Sequence, residues 1–152
     1  MGIKDIKIEE EVDFEIQNLS LSKYELEDGT ILRICEIPNK IFRAQNPDDS
    51  TKPSYIIAWQ TNISAIVKPN LKGVPSKEKF DPKTDKLMEI EFIPLKEPIN
   101  YFWLGDGTII KSRIIVNSIK RAEKRNQYGE PIYWSIKNNN INIIDKSMQT
   151  KE

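Results

Sequence analysis

Shifted against itself by 78 positions, the chain overlays much of its own length, and this constrains the fold more than any other feature. Residues 11 to 67 align without a gap on residues 89 to 145, with 17 identities in 57 positions, where chance for such a composition gives about four. Asp28-Gly29-Thr30-Ile31 falls on Asp106-Gly107-Thr108-Ile109, and Arg43-Ala44 on Arg121-Ala122. Further along, Pro53, Tyr55, Asn62, Ile63 and Ile66 meet Pro131, Tyr133, Asn140, Ile141 and Ile144. The chain is a tandem duplication, so any fold open to it must be built twice.

The copies delimit the organisation. Repeat one covers 11–67 and repeat two covers 87–145, with 68–86 between them carrying the Pro, Gly and charge content of a linker. The tails 1–10 and 146–152 lie outside the copies and are expected to fray.

Within a copy the periodicity is that of strands. Val12, Phe14 and Ile16 alternate with Glu11, Asp13 and Glu15, which predicts one half-buried strand with a wet face. A second strand ends at Tyr24 and Leu26. Asp28-Gly29 and Asp106-Gly107 then supply residues that tolerate positive φ in a tight hairpin, so their retention has a conformational cause. A long strand is expected from Thr30 to Ala44, bent at Pro38, where a missing N–H favours an edge or a bulge. A strand at Tyr55–Gln60, a polar turn and a short strand at Ile63–Val67 complete five strands per copy. The expected fold is therefore all-β, a tandem duplication of two similar five-stranded antiparallel units. They would be small SH3-like or Sm-like barrels, or two half-barrels sharing a core, because about 57 residues bury too little surface to be secure alone.

Leu26-Glu27-Asp28-Gly29-Thr30 resembles the opening motif of Sm-type RNA-binding barrels. Asn39 and Asn117 follow the turn sooner than that motif requires, and no second motif precedes the final strand, so the family is not assigned.

Composition excludes more than it specifies. Lysine plus arginine equals aspartate plus glutamate, 23 of each, so no overall field draws the chain to nucleic acid or an anionic membrane. The single cysteine, Cys35, rules out an internal disulfide framework, and charges interrupt every apolar run short of a membrane span. A soluble, cytoplasmic protein is expected. Abundant Ile and Lys without histidine are compatible with a heat-loving or a low-GC source.

Histidine is absent, which removes the usual general base and the commonest zinc ligand. Cys35 beside Arg33 reads as a small apolar strand residue before it reads as a nucleophile. The carboxylates Glu9, Glu10, Glu11, Asp13 and Glu15 read as a solvated face, and neither Asp48-Asp49 nor the Asp81–Asp85 stretch has the spacing of a calcium loop. No catalytic set, metal or cofactor is expected.

One constellation is more informative. Lys111, Arg113, Lys120, Arg121, Lys124 and Arg125 gather in copy two with Tyr128, Tyr133 and Trp134 nearby. Cations interleaved with rings on a β platform suit single-stranded nucleic acid. The matching loop of copy one is acidic at Asp48 and Asp49, and opposite charges at matching places suit contact between copies or molecules instead. Arg33 and Arg43, basic in both copies, complete the candidate binding residues. The reading that follows is a non-catalytic module binding a protein partner or itself through sheet faces and charged hairpin loops. A single-stranded nucleic-acid binder is the alternative.

Overall fold

The computed structural model describes residues 7–45 and 53–144. Copy one forms β1 (Lys7–Val12), β2 (Phe14–Asn18), β3 (Ser22–Leu26), β4 (Ile31–Gln45) and β5 (Pro53–Ile66). Copy two forms β6 (Leu87–Ile90), β7 (Phe92–Lys96), β8 (Asn100–Leu104), β9 (Ile109–Arg125) and β10 (Pro131–Ile144). After the 78-residue shift β2, β3 and β5 coincide with β7, β8 and β10 residue for residue.

These strands make two antiparallel sheets of five. In the first, β4 carries β5 along one side, while β3 and β1 share its other side at opposite ends, and β7 extends the sheet beyond β3. In the second, β9 carries β10 on one side, β8 and β6 on the other, and β2 lies beyond β8. Each copy therefore lends a strand to the other's sheet. Closed SH3-like or Sm-like barrels are not formed: the sheets stay open and face one another.

The exchange begins at Asp13. Its carboxylate accepts the Phe14 N–H at 2.9 Å and its carbonyl accepts the Gly105 N–H at 2.7 Å. The acidic run expected as one strand is thus cut in two. Val12 stays opposite Ile41 of its own copy, whereas Phe14 pairs with Leu104 of the other. The equivalent residue, Glu91, accepts the Glu27 N–H at 2.9 Å, and the crossing repeats.

Gly29 and Gly107 adopt φ of 88° and 92° in the two Asp-Gly turns, as such turns require. The register of β4 with β5 slips between Pro38 and Lys40, so the proline marks a bulge. The polar turn expected after Gln60 is instead part of one continuous β5. Thr61 keeps the inward phase of Tyr55, Ile57 and Trp59 and finds a polar partner directly opposite on the adjacent β4, its hydroxyl donating to Glu36 at 3.3 Å.

Two apolar clusters lie between the sheets, and neither belongs to one copy. Tyr24, Leu26, Leu32 and Ile34 of copy one pack with Ile90, Ile114, Val116, Ile119 and Tyr133 of copy two. At the other end Phe102, Leu104 and Ile110 pack with Val12, Ile41, Tyr55, Ile57 and Trp59. A polar layer accompanies them: buried Glu36 pairs with Lys137 and accepts the Asn139 amide at 2.7 Å, and Asn139 accepts the Ser112 hydroxyl at 2.7 Å. Among the described residues no helix is long and apolar enough to cross a membrane.

Candidate functional site

The retained Asp, Thr, Arg and Tyr of the two copies meet across the duplication. Asp28 accepts the Thr30 N–H at 2.9 Å, the Tyr133 hydroxyl at 2.7 Å and the Arg121 guanidinium at 3.0 Å. Asp106 accepts the Thr108 N–H at 3.0 Å and the Tyr55 hydroxyl at 2.5 Å, with Arg43 at 3.6 Å. Each cluster joins the hairpin turn of one copy to the long strands of the other. Burial works to raise both carboxyls, but the Tyr, Thr and Arg donors overcome it and hold them below their ordinary value. Burial, with the carboxylates adding to it, pushes Tyr55 and Tyr133 up to about 12. Arg43 and Arg121 are therefore ion-paired within the molecule, and Tyr133 is buried.

The remaining cations of copy two divide into two groups. At the far end of β9 the linker folds back on them. Arg125 donates to the Leu71 carbonyl and, at 3.1 Å, to the Gly129 carbonyl. Lys124 pairs with Asp85 at 3.0 Å and Glu78 at 3.7 Å, and Phe80 lies 6.1 Å from the Trp134 ring. The acid that answers the basic hairpin thus comes from the linker. The acidic loop of copy one, with Asp48 and Asp49, lies outside the described residues.

The second group lies on the outer face of the β9 sheet. Directly opposed residues share a face, so register alone assembles it: Asn142 and Tyr101 flank Lys111, Asn140 flanks Arg113, and Trp134 flanks Lys120. Trp103 sits in the next row opposite Ile109 and is 50% exposed. Lys111 stands 5.7 Å from the Tyr101 ring, and Arg113 donates to the Glu97 carbonyl at 3.0 Å. On the other sheet Arg33 donates to the Ser64 hydroxyl at 3.1 Å. The spacing of Asn138, Asn140 and Asn142 by two residues was the available signal for this face.

A third feature is the flank where β5 and β10 stack. Tyr55 and Ile57 share a cluster with Ile143, while Ile63, Ser64 and Ala65 line a cleft of about 550 Å³ with Asn126, Ile132 and Tyr133. The two strands thus run in opposite directions along the same side. Tyr128, 69% exposed, stands at the cleft. Ile63 lies opposite Ile34, and Ile141 opposite Ser112, so both face inward, yet they remain 44% and 40% exposed. The sandwich is not closed on this side.

Both strands are outer edges of 14 residues. β5 contains no charged residue, and the sole charge of β10, Lys137, is turned inward to Glu36. The shorter edges differ: β1 carries three glutamates, β2 carries Glu15, and β7 carries Pro94 and Lys96. Charge and proline are the usual protections of an edge. The two longest edges have a proline only at their first residues, Pro53 and Pro131, and no outward charge beyond it.

The remaining candidates have structural settings. Cys35 is buried, and burial followed by the Glu36 charge pushes its thiol up, away from a reactive thiolate. Glu9 and Glu10 pair with Arg43, and Glu11 with Lys40 at 3.5 Å. Asp81 and Asp85 cap a linker turn through the Lys83 and Asp81 N–H groups. Among the described residues no group of three or more acids or cysteines could hold a metal ion. Sequence reasoning missed the inner pair Glu36–Lys137, although each stands where the other copy has an apolar residue, Ile114 and Trp59. The chain matches no family model, no curated protein and no solved structure.

Proposed function

We propose that the protein is a non-catalytic interaction module that takes an extended protein segment, from a partner or from itself, onto its open β5 and β10 edges. The observation that carries this reading is the unprotected edge: two stacked strands whose outer N–H and C=O groups face away from their own sheets, without a charge to repel an incoming strand. The charged hairpin of copy two contributes less to binding, because Arg121, Lys124 and Arg125 are engaged internally. Panning a random-peptide library against the protein tests the reading. Enriched peptides are expected to be extended, uncharged and rich in β-branched residues, and to lose binding to I63K/I141K. Enrichment of acidic or helical peptides, or binding indifferent to that variant, would count against it.

A second reading is supported by the outer face of the β9 sheet. Lys111, Arg113 and Lys120 offer contacts to phosphate, Tyr101 and Trp103 offer stacking surfaces, and Asn138, Asn140 and Asn142 offer amides to base edges. Fluorescence anisotropy with labelled single-stranded RNA and DNA at two salt concentrations tests it. Binding should weaken steeply with salt and fall further in K111A/R113A. No binding at low salt removes this reading.

A further inference from the structure

The strand-accepting reading leaves open what covers the β5–β10 flank. Resting on that reading, we infer that the occupant is a second copy of the same chain, docked flank to flank about a twofold axis. In this arrangement β5 pairs antiparallel with β5 of the partner copy, β10 pairs with β10, and each five-stranded sheet continues into one of ten.

Self-complementarity carries the argument. An isologous contact requires a surface that can meet itself without like charges opposing. β5 and β10 meet that condition, since the one charge between them is held inside by Glu36. Antiparallel pairing matches each edge's unused donors and acceptors with an identical set. The inward-facing Ile63 and Ile141, left 44% and 40% exposed on the open side, would be covered as neighbouring sheets close over the cleft. A single added strand would extend one sheet and leave the other edge bare, whereas a second copy supplies both strands at the separation the two sheets already have. The molecule uses the same contact internally, where β2 and β7 complete the sheet of the other copy.

Light scattering of the full chain across a concentration series tests this. The expected result is twice the chain mass of 17.7 kDa, falling to the chain mass in I63K/I141K, while I93K at the opposite edge leaves the dimer intact. Circular dichroism establishes that the variants fold. If I63K/I141K fails to fold, amide exchange of the unaltered protein decides: protection of β5 and β10 that rises with concentration supports the dimer, and concentration-independent protection overturns it. A monomer at every concentration, or a dimer unaffected by the two lysines, also overturns it. A monomer whose edges still capture extended peptides would sink the dimer and leave the strand-accepting function standing. A monomer that captures none would remove both.

Discussion

Asp28 and Asp106 each serve two roles. One carboxylate oxygen closes its own turn through Thr30 or Thr108, and the other reaches Tyr133 or Tyr55 of the opposite copy. Asp28→Asn keeps an oxygen for the turn and removes the charge, so a cycle with Arg121→Gln isolates the ion pair. Arg121 is mostly buried and 3.0 Å from Asp28, and the coupling should be about 1–2 kcal/mol. The equivalent Arg43–Asp106 cycle should give less than about 1 kcal/mol, because Arg43 is 3.6 Å away and shared with Glu9 and Glu10. Urea unfolding of the single and double variants checks both values. The pH dependence follows from the same groups. The two carboxyls are depressed in the fold, so their contribution is complete above the unfolded value of about 4 and is lost as pH falls below it. Tyr24, Tyr55 and Tyr133 are pushed up to about 12. Their contribution is complete below an unfolded value of about 10 and disappears as pH rises from there towards the folded value. Tyrosinate absorbance and circular dichroism should therefore change together in that alkaline window.

At the level of elements, the linker is held by a close backbone contact. The Gly73 N–H donates to the Gly129 carbonyl at 2.8 Å, and a Cβ on Gly129 would overlap the Gly73 carbonyl oxygen. Gly129 also has a φ of 75°, which an alanine adopts at a cost of about 1–2 kcal/mol. Gly129→Ala should therefore loosen the linker and speed protease cleavage around the exposed Lys77–Lys79 stretch by roughly tenfold. Gly29→Ala bears a similar backbone cost but meets only the movable end of Lys68, so it should lower the melting temperature and leave that cleavage rate unchanged. What could be read beforehand divides along the same lines. Asp-Gly turns and Pro38 act on their immediate neighbours, and both were legible. Alternation at Val12, Phe14 and Ile16 is the same whichever sheet the strand joins, so the crossing at Asp13 was hidden. Of the candidate site, the basic residues of β9 were visible as a group. Their division between the linker contacts and the outer face depends on register, which no single segment encodes.

At the level of the molecule, the duplication is more than two domains in series. Each core takes its hairpin from one copy and its long strands from the other, so separating the copies would open both cores at once. The connection through 68–86 is then a tether rather than the source of association. A protease site placed at Lys77–Lys79 and cut in the folded protein tests this directly. The two fragments should elute with the intact chain and separate only in denaturant. They should also unfold in a single transition whose midpoint rises more steeply with protein concentration than the intact chain's, because cutting makes the association of the two copies bimolecular. Two independent domains would instead come apart on cutting and melt separately, at temperatures indifferent to concentration. Strand exchange at β2 and β7 makes the first outcome the physical expectation, since each fragment alone would leave its β3 or β8 without the neighbour that completes the sheet.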